Sequence, residues 1–307
     1  MELKKERVMQ EHIFMGAATA LITPFDVEGQ VNYCKLDELI QFQLDNGCNA
    51  LLICGVTGEN PTLTMEERMS VIAFAAKAIN GRVPLIAGTG GNNTAQTAEE
   101  CKLLEEAGAD ALQLTTPYFN MCTQKGLYMH FSACAQATGL PFIIYNAPFR
   151  TGMSIYPETY GKLLKLKNIR AVNEGSGSIE HCIKLKSLYG DKLDVYCGCD
   201  SIIAPVLEAG ACGCISVLAN IFPQSVQDLC GRYFAGDAEK CMKLQIQLSA
   251  FIEALFSEVS PIPVKTAMNI KGMNVGDLRL PLCAAEKATA EKLKKELSAL
   301  NIAGVYV

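Results

Sequence analysis

The chain has 307 residues, half of them hydrophobic, and a formal net charge of -5. That length and apolar content suffice for a large buried core, and the acidic balance excludes the basic stripe that grips nucleic acid. Residues 1–7 mix both charge signs and open no long apolar run, so neither a signal peptide nor a membrane span is expected and the chain reads as cytoplasmic.

In chain order, short β-rich apolar runs fall at 17–22, 50–54, 83–87, 111–114, 141–145, 169–172, 193–197 and 212–217. Helix-period stretches lie between them, at 65–79, 97–107, 126–138, 157–166, 179–189 and 202–209. This alternation predicts parallel strands covered by helices, and the strand number is the one that closes a (β/α)8 barrel, an α/β fold. Thr64 followed by Glu67 reads as a capping box, and Pro157 suits a first helical turn.

Beyond Asn220 the strand pattern stops and the remainder reads mostly as helix, at 244–256 and then at 284–300, ending near Gly304. The expected organisation is a barrel with a short leading extension over 1–222 and helices packed on it over 223–307.

Fourteen cysteines scattered through apolar runs read as reduced, buried thiols, since nothing marks the chain as secreted. His12, His130 and His181 show no metal spacing, and surface or packing roles are expected for them.

Five short segments fall at or beyond strand ends: GVTGEN at 55–60, TPYFN at 116–120, YNAPFRTG at 145–152, AVNEGSG at 171–177 and CGCD at 197–200. GCISVLAN at 213–220 covers the final strand. Groups at the carboxyl ends of barrel strands converge on one face, where ligands bind. The 55–60 loop could hold a carboxylate on backbone N–H groups and the Thr57 hydroxyl, or be a plain βα turn.

In order and spacing these segments resemble the dihydrodipicolinate synthase and N-acetylneuraminate lyase family of class I aldolases, over nearly the whole chain. The resemblance implies a (β/α)8 barrel, no cofactor, a homo-oligomer with a tetramer as the expected state, and aldol-type chemistry on pyruvate and an aldehyde. It places the Schiff-base lysine at Asn173. A carboxamide nitrogen is not nucleophilic, because its lone pair is delocalised, so Asn173 can orient a keto acid but cannot bond to it.

The other implied site positions are equally informative. Thr57 falls in the carboxylate loop. Val56 stands where the family places a relay hydroxyl, and valine has none. Phe119 stands where a tyrosine reaches in from a neighbouring subunit. Tyr145 matches the tyrosine that shuttles protons, but with Val56 and Phe119 mute it reads equally as a wall residue. Arg150 matches an arginine that binds the second substrate's carboxylate, and leans the resemblance toward the synthase branch. A solvated loop position or a subunit salt bridge would also account for it. Gly198 and Ile215 are implied to face the barrel interior; alternation then turns Cys197, Cys199, Cys212 and Cys214 toward the helices, and no metal is expected there.

At the family's regulatory lysine site, Asn92 and Tyr118 are kept. Met65, Arg68 and Gln96 replace two histidines and a glutamate, which removes the partner of an ammonium group. Three readings stay open: a divergent lyase-like enzyme on a small keto acid, a non-catalytic binder of small carboxylates, and an ordinary synthase with an amine elsewhere. Lys162, Lys165, Lys167, Lys184, Lys186 and Lys192 all fall toward the opposite end of their βα units.

Overall fold

The computed structural model describes residues 12–302. Eight parallel strands close into a barrel: β1 (Gly16–Ala20), β2 (Ala50–Ile53), β3 (Leu85–Thr89), β4 (Ala111–Thr115), β5 (Phe142–Asn146), β6 (Ile169–Glu174), β7 (Asp194–Cys197) and β8 (Gly213–Ser216). Closure is made by β8 on β1, with Gly16 opposite Gly213 and Ala18 opposite Ile215. The helices around it are α1 (Tyr33–Asp45), α2 (Met65–Ile79), α3 (Thr94–Glu106), α4 (Gln124–Ala137), α5 (Pro148–Thr151), α6 (Pro157–Leu163), α7 (Ile179–Tyr189), α8 (Ile203–Glu208), α9 (Pro223–Phe234), α10 (Ala238–Leu255), α11 (Ile262–Ile270) and α12 (Lys287–Ile302). None of them is long and apolar enough to cross a membrane.

The expected capping box is present. Thr64 Oγ1 accepts the N–H of Glu67 at 3.2 Å, and the Thr64 N–H donates to Glu67 Oε2 at 2.9 Å, satisfying two donors that the first turn of α2 leaves unpaired. Helix α1 is less visible in the sequence because one of its core positions is polar. Leu36, Leu39, Ile40 and Gln43 follow the i, i+3, i+4, i+7 spacing and are buried. Gln43 is tolerated there because it accepts from Thr19 Oγ1 at 2.6 Å and donates to the Ala219 carbonyl at 2.8 Å.

Alternate strand residues divide the core in two. One set lies between barrel and helices; the other fills the barrel and includes Ala18, Leu52, Ile86, Ala171 and Ile215. At the amino end the filling is aromatic. Phe14 stacks on Tyr196 with ring centroids 4.1 Å apart and planes 9° from parallel. The Tyr196 hydroxyl donates to the Phe14 carbonyl at 2.7 Å and accepts its N–H at 3.2 Å. The pair removes two large apolar surfaces from water, each worth about 1.5–3 kcal/mol, with every polar atom satisfied.

The four-thiol expectation needs correction. Cys197 and Cys214 do lie between barrel and helices, but Cys212 packs with the residues that fill the barrel. Alternation fails because Cys212 precedes β8, and Gly213 turns the chain at a φ of +155°, where an added Cβ would stand 1.8 Å from the Gly16 carbonyl oxygen. Cys199 follows β7, and its sulfur lies 3.2 Å from Ser201 Oγ.

After β8, α9 packs against β1 and β8, α10 against α8 and α9, and α12 against α10 and α11. Buried Gln245 of α10 donates to the Asp200 carbonyl at 2.9 Å and accepts the Ala204 N–H at 3.2 Å, fastening the tail to the turn after β7. The end expected near Gly304 and the charged leading residues 1–7 lie outside the described residues.

Candidate functional site

Tyr145 and Asn173 are the penultimate residues of neighbouring strands and lie in register, on β5 and β6. Asn173 is buried; its Nδ2 donates to Gln113 Oε1 on β4 at 2.8 Å. Its Oδ1 is also buried and has no hydrogen-bond partner among the described residues. Gly198, beyond β7, makes this placement possible: a Cβ there would stand 2.2 Å from Asn173 Oδ1. The next residue on β6, Glu174, turns the other way. It is held by Asn146 Nδ2 at 2.8 Å and His181 Nδ1 at 2.7 Å, so His181 serves packing within the shell.

Burial pushes the Tyr145 phenol above its ordinary value, and the Arg150 guanidinium opposes that shift only in part. Arg150 sits on α5, with Nη2 3.4 Å from the Ser260 carbonyl and the guanidinium carbon 5.2 Å from the Phe149 ring centre. Its Nε is buried and without a hydrogen-bond partner among the described residues.

The 55–60 loop is a rigid turn. The N–H of Glu59 returns to the Val56 carbonyl at 3.1 Å and that of Asn60 to Gly55 at 3.3 Å. Asn60 Nδ2 donates to the carbonyls of Cys54 at 2.8 Å and Gly88 at 3.0 Å, tying the loop to β3. Behind it, the buried Glu59 carboxylate pairs with Lys265 Nζ at 2.6 Å and accepts the Arg279 N–H at 3.0 Å. The N–H groups of Val56 and Thr57 find no acceptor among the described residues, and of the two residues Val56 lines the cavity at the mouth of the barrel.

A cavity of 210 Å3 opens between these elements, lined among others by Val56, Thr89, Gln113, Tyr118 and Arg150. Of the site residues expected from the sequence, Val56 and Arg150 line it. Asn173 lies one hydrogen bond away, through Gln113, and Tyr145 is beside it on the next strand. Thr57, Gly198 and Ile215 are not among the lining residues, and Ile215 is packed inside the barrel. Phe119 does not line it either; it is 92% exposed, at a φ of +67°. No lysine lines the cavity. Lys265, the fully buried lysine among the described residues, is engaged by Glu59 and by the Asp277 carbonyl at 2.9 Å.

Two residues of this cavity were not anticipated. Thr89 places a buried hydroxyl oxygen with no partner among the described residues at the end of β3. Gln113 is the single polar side chain in the run 111–114, at the alternation position that faces inward with Ala111; that polarity is the signal that could have revealed it. On the outer side of β3, buried Arg68 pairs with Glu100 and donates to the Gly88 carbonyl at 3.3 Å, and Asn92 Nδ2 lies 3.4 Å from the Tyr118 carbonyl.

A closed barrel of eight parallel strands with helices around it and a cavity at the carboxyl ends of its strands defines the (β/α)8 class of folds. Within that class the chain belongs to the dihydrodipicolinate synthetase family, whose sequence profile matches residues 13–300. It is 44% identical over 289 residues to the 4-hydroxy-tetrahydrodipicolinate synthase of Clostridium novyi (strain NT), covering 94% of this chain and 97% of that protein. The enzyme of the same name from Geobacter metallireducens is 46% identical over 281 residues, covering 92% and 97%. Among solved structures, dihydrodipicolinate synthase from Aquifex aeolicus superposes with a TM-score of 0.91 at 41% identity, covering 94% of this chain and 98% of that one. The 4-hydroxy-tetrahydrodipicolinate synthase of Methylacidiphilum fumariolicum SolV gives 0.92 at 35% identity, covering 94% and 96%.

Proposed function

We propose that this protein binds a small 2-oxo acid such as pyruvate at the carboxyl mouth of its barrel without forming an imine. On this reading it acts as a divergent lyase-like enzyme, polarising its substrate by hydrogen bonds alone. The observation that carries it is the chemistry of the cavity: the penultimate side chain of β6 is the Asn173 amide, bonded to the cavity-lining Gln113, and no lysine lines the space. An amide cannot condense with a ketone.

The substrate carboxylate is assigned to the adjacent N–H groups of Val56 and Thr57, with the Arg150 guanidinium closing over the ligand. The keto oxygen is assigned to the amide N–H donors of Gln113, whose own carbonyl is taken by Asn173. In the cleavage direction Tyr145, which burial holds in the phenol form, donates its proton to the enolate carbon, and the proton lost from the substrate hydroxyl passes through water to restore the phenol. The same shift favours the second reading, a non-catalytic carboxylate binder, because it leaves no evident base near neutral pH. The homo-oligomer expected of the family is supported by the exposed apolar side chains Tyr118, Phe119, Met121 and Phe149 beside the mouth.

Borohydride treatment with pyruvate, followed by intact-mass measurement, tests the covalent point, and calorimetric titration with pyruvate tests binding. Reversible binding with no mass increase is expected. A pyruvyl adduct on any lysine overturns the reading. Aldol turnover of pyruvate with aspartate semialdehyde, absent from the Arg150→Met variant, separates the enzyme from the binder.

A further inference from the structure

We propose that His12, Asp194 and Cys212 form a binding site for zinc at the amino-terminal mouth of the barrel, at the opposite end from the keto-acid cavity. His12 lies ahead of β1, Asp194 opens β7 and Cys212 immediately precedes β8. One ligand atom from each lies within 4.8 Å of the others. His12 Nδ1 is 2.8 Å from Asp194 Oδ1, Cys212 Sγ is 3.5 Å from the same oxygen, and Cys212 Sγ is 3.8 Å from His12 Nδ1.

These lengths are close to the edges of a zinc tetrahedron. With bonds of about 2.0 Å to nitrogen and oxygen and about 2.3 Å to sulfur, tetrahedral edges are about 3.3 Å between nitrogen and oxygen and about 3.5 Å to sulfur. Both sulfur edges agree within a few tenths of an ångström, and the nitrogen–oxygen edge needs to open by about half an ångström. A thiol excludes magnesium and calcium as the natural occupants. On binding, the Cys212 proton passes to solvent, and the thiolate and carboxylate together balance the double positive charge.

A second observation points to a missing partner: Asp194 Oδ2 is buried and has no hydrogen-bond partner among the described residues. The geometry also argues against a nucleophilic thiol. In a relay of cysteine, histidine and carboxylate the imidazole uses one nitrogen for each neighbour, whereas here Nδ1 of His12 is the atom near both. Three groups converging on one point is what a cation requires. His12 also lines a cavity of 700 Å3 at this end of the barrel, which gives solvent a path to that side of the site.

The test uses the full-length chain without a histidine tag, stripped with chelator, reloaded with zinc or cobalt and passed over gel filtration. One zinc per chain is expected by mass spectrometry of the metal, and the cobalt form should show a thiolate-to-cobalt charge-transfer band. Cys212→Ser, with its fold checked by circular dichroism, should abolish the band and weaken zinc binding more than about tenfold. His12→Ala, at a half-buried position, provides an independent arm and should weaken zinc similarly. No metal above the buffer blank would mean that the three side chains are only a hydrogen-bonded latch. A band that survives in Cys212→Ser, or an unchanged zinc affinity in His12→Ala, also overturns the assignment.

Discussion

Asn173 Nδ2 on β6 donates to Gln113 Oε1 on β4 at 2.8 Å, passing over the intervening strand β5. This bond decides what the mouth of the barrel can present to a ligand. It fixes which end of each amide is occupied, leaving the Asn173 carbonyl oxygen without a partner and the Gln113 N–H donors available to the cavity.

Gln113→Leu strands the Asn173 amide in the barrel, at a cost of about 1–3 kcal/mol. Asn173→Leu does the same to Gln113. The double variant should be closer to the parent than the sum of the two, because neither amide is then left unpaired. Chemical denaturation of all four proteins measures this coupling; strict additivity would show that the bond contributes nothing.

Asn173→Lys should restore an amine and yield a borohydride-trapped pyruvate adduct. Turnover is expected only when Val56→Thr and Phe119→Tyr are added, since Val56 lines the cavity without a hydroxyl and Phe119 supplies none. Full activity from the single change would remove Val56 and Phe119 from the argument.

Lys265→Met leaves the buried Glu59 carboxylate without its cation, behind the loop that carries Val56 and Thr57. A loss of about 3–5 kcal/mol is expected. Adding Glu59→Gln should recover part of it, because the uncompensated charge is then gone. A melting temperature unmoved by Lys265→Met would show that the pair carries little.

The fold should be sensitive to alkali. Burial raises Tyr145, and raises Tyr160 and Tyr196 well above their ordinary value. Above about pH 10 the unfolded chain therefore holds fewer protons than the folded one, and stability falls as pH rises. Thermal melts from pH 8 to 11 should show this slope, flattened in Tyr160→Phe. Spectrophotometric titration should find no tyrosinate that disappears in Tyr145→Phe near neutral pH.

Phe119→Asp should shift the protein toward smaller species in analytical ultracentrifugation, since it places a charge in the exposed apolar cluster with Met121 and Phe149. An unchanged sedimentation coefficient would place any subunit contact elsewhere.

The barrel was legible because strand runs such as 111–114 and 169–172 are apolar and regularly spaced, and Thr64 with Glu67 marks a helix start in four residues. Patterns of that kind are local. The Asn173–Gln113 bond spans 60 positions and the His12–Asp194 contact 182, so no spacing rule along the chain could join them. Cys212 shows a further limit: alternation was carried through a residue outside its strand, and a glycine turn reversed the side chain. Helix α1 was obscured for a different reason, since its buried Gln43 looks like a surface residue until its partners on β1 and near Ala219 are seen.

The stacked Phe14 and Tyr196 rings act as a stopper in the floor of the barrel. With Leu52, Ile86 and Ile215 packed inside the barrel as well, no passage joins its two ends. Events at the lower rim therefore reach the cavity beside Arg150 only through the strands themselves.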